Sequence, residues 1–224
     1  MNLAPSLGRT VPAGSPRTLG VRDFTSIVRI LVTAFEDDQA FKWIVRIHFV
    51  RAVFLRYLFI TDTLAIFMLG RIDGWYREGR LVAVCMWRNP NRYPFPWYVQ
   101  LVMTPLILPF FLLPGPVVRL SRFQEAAKKL TPRDREHWYV GGLGVVPEFR
   151  QLGIGSALLR SGLPKTDVDD RPVVLACWSA LVGYYAQLGF SESNSTEVKG
   201  YPDTLHGLWM LKDDQPRRDE VKPK

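Results

Sequence analysis

Residues 138–156, WYVGGLGVVPEFRQLGIGS, restrict the fold of this chain more than any other stretch. An apolar strand loosened by Gly141, Gly142 and Gly144 runs into the turn Arg150-Gln151-Leu152-Gly153-Ile154-Gly155. Ser156-Ala157-Leu158-Leu159 then reads as the opening of a helix. The leading N–H groups of a helix have no partner within it and sit at the positive end of its dipole, so this arrangement is a cradle for phosphate. Gly153 and Gly155 let backbone approach an anion with no side chain in the way. Two common phosphate motifs do not fit. A Walker loop requires a lysine after its last glycine, and none follows Gly155. A dinucleotide fingerprint requires a third glycine where Leu158 stands.

What remains is Arg-x-x-Gly-x-Gly over residues 150–155. It resembles the acetyl-CoA loop of the GCN5-related N-acetyltransferases, written Gln/Arg-x-x-Gly-x-Gly/Ala. Downstream, Pro172-Val173-Val174-Leu175-Ala176-Cys177 reads as a buried strand rich in β-branched residues. The segment 179–190 closes on Tyr-x-x-Leu-Gly-Phe, similar to the family's second hallmark. Upstream, FEDDQAFKW at 35–43 is similar to a Phe-x-Asp-Asp-Pro-x-Phe-x-Trp stretch of a small-molecule subgroup common in fungi and actinobacteria. The resemblance covers residues 17–211 and is strongest over 138–190. It implies an α/β (α+β mixed-sheet) fold: a central, mostly antiparallel sheet with splayed fourth and fifth strands and flanking helices. It also implies acetyl-CoA as acyl donor, no metal, and transfer to a primary amine by direct attack in a ternary complex.

The resemblance assigns residues as well. Freed amides around Leu143, Gly144 and Val145 would bond the pantetheine arm and the thioester oxygen, where charge develops during acyl transfer. The plain alternative is that these glycines merely permit tight packing. The N–H groups of Gln151, Leu152, Gly153, Ile154 and Gly155 would hold the pyrophosphate, with charge from Arg150 and a hydroxyl from Ser156. Arg150 reads otherwise as a solvated surface arginine. Ser179, at the start of the next helix, joins the cofactor contacts. Ile154, Ala157 and Leu158 follow i, i+3, i+4 spacing and should pack on the sheet.

Tyr185 of Tyr-x-x-Leu-Gly-Phe takes the place of the acid that meets the departing thiolate, unless it is a core aromatic. Tyr184 cannot point the same way, because a helix turns about 100° per residue. The base is open. Histidines of some relatives match Tyr139 and Gly141 here, and His137 shares their strand parity; it acts through a water or is an uninvolved loop histidine. Asp37 and Asp38 lie where relatives build the acceptor pocket, and would bind or deprotonate an ammonium or cap helices. Glu36 and Glu148 are further candidates. The subgroup's Leu-Glu-Ala-Ser is Leu175-Ala176-Cys177-Trp178 here, which removes a carboxylate and puts the Trp178 indole on the acceptor side.

A chain of 224 residues suits one compact domain, expected over 17–211 between a leader at 1–16 and a charged tail at 212–224. With 47% hydrophobic and 22% charged residues, overall disorder is excluded. Cys85 and Cys177 lie in apolar runs and read as buried thiols in a reducing, cytoplasmic setting. The net charge of +8 is scattered, with no basic block interleaved with aromatics, which argues against a nucleic-acid groove and suits a polyanionic cofactor.

No charged residue lies between Arg92 and Arg119, a length that raises the question of a membrane span. Pro105, Pro109, Pro114 and Pro116 break it. Segment 94–120 therefore reads as a kinked apolar insert over the acceptor site, with membrane contact through 95–118 or a dimer contact as alternatives. Its apolar and aromatic content suggests a hydrophobic small-molecule amine. Elsewhere the pattern gives a strand at 18–22, a helix capped by Asp23, one or two helices over 45–69 and a hairpin of 71–76 with 80–87. A helix at 119–129, a polar connection at 163–172 and a strand at 206–211 complete the expected elements. The competing readings are a catalytically idle CoA-binding relative, a membrane-associated interaction module, and a protein or peptide N-acetyltransferase.

Overall fold

The computed structural model describes residues 13–90, 114–132, 135–167 and 171–210. Among these residues seven strands form one mixed sheet in the order β1-β2-β3-β4-β5-β7-β6. They are β1 (Ser15–Thr18), β2 (Gly70–Arg77), β3 (Arg80–Arg88), β4 (Trp138–Val145), β5 (Val173–Trp178), β6 (Ser191–Glu197) and β7 (Thr204–Met210). Among the described residues six α-helices cover it: α1 (Phe24–Phe35), α2 (Gln39–Ile44), α3 (His48–Leu69), α4 (Pro114–Leu130), α5 (Ile154–Asp167) and α6 (Ser179–Ala186). All strand pairs are antiparallel except β4 with β5.

Central β3 is buried on both faces, which is why Leu81 to Trp87 reads as an unbroken apolar run. Ala83, Cys85 and Trp87 pack with Ile154, Leu158 and Leu159 of α5 and Tyr185 of α6. Val84 and Met86 pack on the other face with Ile27 and Leu31 of α1 and Leu55, Phe59 and Ile66 of α3. A smaller cluster joins Ala126, Ala127 and Leu130 of α4 to Leu205 of β7. Helix α3 is long and apolar enough to span a membrane by length and composition, but 44% of its most apolar window is buried within the protein. Both faces of the hairpin turn are explained by its backbone: Glu78 and Gly79 have φ of 51° and 74°, the left-handed pair a two-residue turn requires.

Several sequence expectations move. The first strand is Ser15–Thr18 rather than 18–22, and so begins inside the segment read as leader. Asp23 does stand at the N-cap position of α1, but its side chain makes no cap hydrogen bond; its carboxylate accepts from Gly20 N and the Tyr76 hydroxyl, both at 3.0 Å. The helix expected from Arg119 starts at Pro114. Pro114 and Pro116 sit in its first turn, where a missing N–H costs nothing, so they open a helix instead of breaking one. Helix α5 runs through Pro164 to Asp167, shortening the expected 163–172 connection. Strand β6, SESNSTE, has no apolar alternation because it is an exposed sheet edge. Residues 1–12, 91–113 (most of the expected insert) and 211–224 lie outside the described residues.

Helix α5 approaches the sheet closely at Gly162. A Cβ there would lie 2.3 Å from Trp87 Cζ2, and Trp87 is wholly buried. Gly162→Ala should gain about 1 kcal/mol of helix propensity yet destabilise the protein by about 1–3 kcal/mol net through overpacking. Urea unfolding of the two proteins checks the sign; a more stable variant would show that α5 can ride up without loss.

Candidate functional site

Strands β4 and β5 pair through only two residue pairs, Trp138 with Val173 and Tyr139 with Val174. Beyond Tyr139 they part. The β3 side of β4 stays paired but skips Gly141, since Met86 faces Gly142 while Trp87 faces Val140. That skip is a β-bulge, the feature a strand glycine signals. Gly141 is exposed although β4 is the middle strand of seven, so the sheet is open to its interior there. Backbone amides that face such an opening need a partner from water or a ligand.

The bulge also sets which side chains face which way. Leu143 and Val145 pack toward α5, whereas Gly144 turns to the opposite face. A Cβ on Gly144 would stand 3.2 Å from Ala34 Cβ and 3.3 Å from Leu31 Cδ2, so this glycine lets α1 lie on the sheet. Close packing and an open backbone edge coexist in the same strand. At the wide end, Gln151 and Gly153 have φ of 61° and 76°, which folds the turn so that α5 starts directly beyond it. A Cβ on Gly155 would meet the Tyr184 hydroxyl at 3.1 Å and Val145 at 3.3 Å, so its bareness brings the helix start against β4. Leu152 is exposed at the turn, and Ile154 and Leu158 are buried under α5 with Ala157 partly so.

Arg150 is neither a lone surface charge nor aimed freely into the turn. Its Nη2 donates to Ala34 O at 2.8 Å and its Nε to Val145 O at 3.2 Å, fastening the end of α1 to the end of β4. The Ser156 hydroxyl is buried and donates to the Tyr184 hydroxyl at 3.2 Å. Ser179 is exposed at the start of α6, where its hydroxyl donates to Asp203 Oδ1 at 2.6 Å and lies 3.0 Å from His206 Nε2. His206 Nδ1 is 2.7 Å from Glu192 Oε1, so the group fixes α6 to β6 and β7.

Tyr184 and Tyr185 diverge as their helical spacing requires, with rings 5.0 Å apart and 72° between planes. Tyr184 reaches the start of α5, while Tyr185 is buried against Phe190 and beside Cys177. Burial raises the Tyr185 phenol well above its ordinary pKa, so it holds its proton; Tyr184, Cys85, Cys177 and Tyr139 push the same way. Burial pushes the Cys177 thiol up to about 12, with Glu192 and Asp203 adding to it, and raises Cys85 well above the usual thiol range. Neither is a thiolate near neutrality.

His137 stands before β4, at the end where β4 and β5 are paired, with Nδ1 2.9 Å from Arg135 O. Asp37 is exposed and bound to Lys42 at 3.0 Å, which lowers its pKa. Asp38 caps α2, accepting from Ala40 N at 2.9 Å and Phe41 N at 3.2 Å. Burial raises the Asp38 pKa despite those two hydrogen bonds. Glu36 lies 3.3 Å from His48 Nε2. Trp178 stacks at 4.5 Å on Tyr201, which meets Trp43 at 5.2 Å, and Phe123 of α4 touches Trp178 at 5.7 Å. These four rings form an aromatic wall on the α2–α4 side. Among the described residues no group of three or more metal-ligating side chains converges.

The sequence gives no direct sign of Trp43, Phe123 and Tyr201 as neighbours of Trp178, because they come from four separate elements. Asp62 and Arg88, beside the bulge, also escape a motif search. A lone acid in an apolar helix is the signal that could have raised the first of them.

No family model matches the sequence, and no curated protein matches it. Solved structures do match in three dimensions. A histone acetyltransferase HPA2-related acetyltransferase of Corynebacterium glutamicum shares 25% identity over 89% of this chain and 96% of its own, at a TM-score of 0.64. An N-acetyltransferase of Staphylococcus aureus superposes over 88% of this chain and 100% of its own at 14% identity and a TM-score of 0.59. The PaiA N-acetyltransferase of Thermoplasma acidophilum, solved with coenzyme A, covers 87% and 98% at 10% identity and a TM-score of 0.51.

The left-handed backbone of Gly153 can be tested by itself, since a Cβ there would meet nothing within 4 Å. Gly153→Val should cost about 1–2 kcal/mol from backbone strain alone, a fall in Tm of roughly 2–8 °C by calorimetry. An unchanged Tm would mean the turn adopts another conformation.

Proposed function

Because the chain has the fold of the GCN5-related N-acetyltransferases, we propose that it is an acetyl-CoA-dependent N-acetyltransferase acting on the primary amine of a small molecule. The observation that carries this reading is the gap between β4 and β5, with an exposed bulge at its apex and a helix start at its mouth. A thioester carried on a long amide-bearing arm with a diphosphate at its far end suits that geometry. The N–H groups of Leu143 and Val145 would line the edge the arm runs along, while that of Gly144, between them, points to β3. Residues 151–155 with Ser156 supply a positive helix end for the diphosphate. Arg150 adds charge there while holding α1 and β4 together.

The chemistry follows from this placement. A neutral amine attacks the thioester carbonyl from the α1–α4 face, and an amide of β4 stabilises the oxyanion that forms. As the C–S bond breaks, the electron pair passes to sulfur, to which the Tyr185 phenol donates. Its raised pKa keeps that donor protonated throughout the neutral range. Ser179, already engaged with Asp203 and His206, would act mainly by holding α6 and hence Tyr185 in place. The wall of Trp43, Phe123, Trp178 and Tyr201, with the Asp38 carboxylate acting on Tyr201, favours an acceptor with an apolar body next to its amine.

Coenzyme A at a hundred times its Kd should stabilise the protein by about 2.7 kcal/mol, a rise of roughly 5–10 °C in Tm. No shift at saturating coenzyme A would remove the proposal. Tyr185→Phe should keep that shift while lowering kcat by about a hundredfold in a thiol-release assay. Equal loss on Tyr184→Phe alone would move the role to the neighbouring ring.

A further inference from the structure

We infer that Asp62, held against Arg88 beside the Gly141 bulge, is the group that receives the proton of the acceptor ammonium. This rests on the acetyl-transfer reading above and names the partner that reading leaves open.

Asp62 is the one acidic residue of α3, a helix whose other side chains are mostly apolar, with Thr61 and Thr63 on either side of it. A carboxylate in a helix packed on a sheet is costly unless something pairs with it or uses it. Its partner is Arg88 at the end of β3, but Nη2 stands 3.5 Å from Asp62 Oδ1. Tight guanidinium–carboxylate bonds are about 2.7–2.9 Å, so the contact is loose and leaves the carboxylate able to take a proton. The same Nη2 is 3.7 Å from where a Gly141 Cβ would stand, and Arg88 Nε is 3.2 Å from it. The guanidinium also lies over the Tyr139 ring, 5.7 Å from its centroid. Tyr139 is the last β4 residue paired with β5, and Gly141 is the exposed residue where the gap opens. The Tyr139 phenol in turn acts on Tyr185 from across the strand. Asp62, Arg88, Tyr139 and Tyr185 therefore bracket the apex of the gap from its two faces.

The other acids and the histidine near the acceptor side are engaged elsewhere. Asp37 is bound to Lys42, Asp38 caps α2, Glu36 contacts His48, and His137 sits at the closed end of the strand pair. Asp62 keeps 24% of its side-chain surface open while protein surrounds the rest. That desolvation raises its pKa, and Arg88, the charged group acting on it among the described residues, opposes the rise less strongly. A carboxylate raised in this way is a better base near neutrality than an ordinary aspartate.

The step balances. The Asp62 carboxylate takes one proton from the ammonium, directly or through one water, and the freed nitrogen lone pair forms the C–N bond. The C–S bond breaks toward sulfur, the Tyr185 phenol gives its proton to the thiolate, and the second proton lost by nitrogen restores the phenol. Asp62 then releases its proton to solvent. Arg88 is a positioning residue that holds the carboxylate at the bulge.

The test uses the full chain with acetyl-CoA and three probes: tryptamine, spermidine and a lysine-containing peptide. With whichever amine is turned over, Asp62→Asn should lower kcat at neutral pH by about 10²–10³-fold. The acetyl-CoA KM and the coenzyme-induced rise in Tm should stay unchanged. The deficit should shrink by about tenfold per pH unit as the medium itself deprotonates more of the amine. Unchanged turnover, or a deficit constant with pH, would overturn the assignment while leaving acetyl transfer intact. Arg88→Gln supplies a check that survives a misfolded Asp62→Asn. Arg88 lowers the Asp62 pKa, so removing it should move the acid limb of the kcat/KM profile to higher pH. An unmoved limb overturns the assignment. No turnover of any probe by the wild type, with no coenzyme A shift, removes the acetyl-transfer reading and this inference together.

Discussion

The structure depends on where β4 and β5 stop sharing hydrogen bonds. Two residue pairs join them, and past Tyr139 and Val174 the parallel ladder ends in mid-sheet. Strands normally end pairing at a sheet edge, where water satisfies the freed amides. Here the ladder ends with β3 still attached on one side of β4 and β7 on the other side of β5. The two half-sheets are thus each complete and rigid, and only the seam between them is open. A rigid seam presents its amides at fixed positions, which is what a transition state with developing charge requires of its donors.

Keeping that seam open needs support on both faces. Helix α1 lies on β4 because Gly144 has no side chain, and Arg150 ties its last turn to Val145. On the other face α5 abuts β4 through Gly155 and rests on Trp87 through Gly162. Arg71 reinforces this side: it donates to Gly162 O at 3.0 Å and to Asp73 Oδ2 at 3.0 Å, between the rings of Trp87 and Trp138. The buried Asp73 also accepts from Thr18 at 2.9 Å, so β1, β2 and α5 are joined through one satisfied carboxylate. The faces divide the chemistry accordingly, with the helix start and Tyr185 on one and Asp62, Asp38 and the aromatic wall on the other.

Much of this was legible in the chain. Strand β4, its turn and α5 follow from glycines and apolar spacing, and β5 with α6 from a short apolar run followed by Tyr-x-x-Leu-Gly-Phe. What stayed hidden has physical causes. β6 carries no pattern because neither of its faces meets the core. The start of α4 was masked by prolines that are harmless in a first turn. Arg150 was legible as a charge near the turn, but one of its carbonyl partners, Ala34, lies 116 residues back, beyond any local pattern. Asp62 and Arg88 meet only because α3 crosses the end of β3, and the aromatic wall is assembled from α2, α4, the end of β5 and the loop before β7.

The anchorage of Arg150 bears on how ionic strength would act on this protein. Its guanidinium is shared with two main-chain oxygens, so it is not a free counterion waiting for an anion. Those oxygens are neutral, so the guanidinium keeps its charge, fixed at the turn beside the peptide dipoles of the helix start. Added salt should therefore weaken capture of an anionic coenzyme at this turn, since the exposed guanidinium and the helix end are both screened.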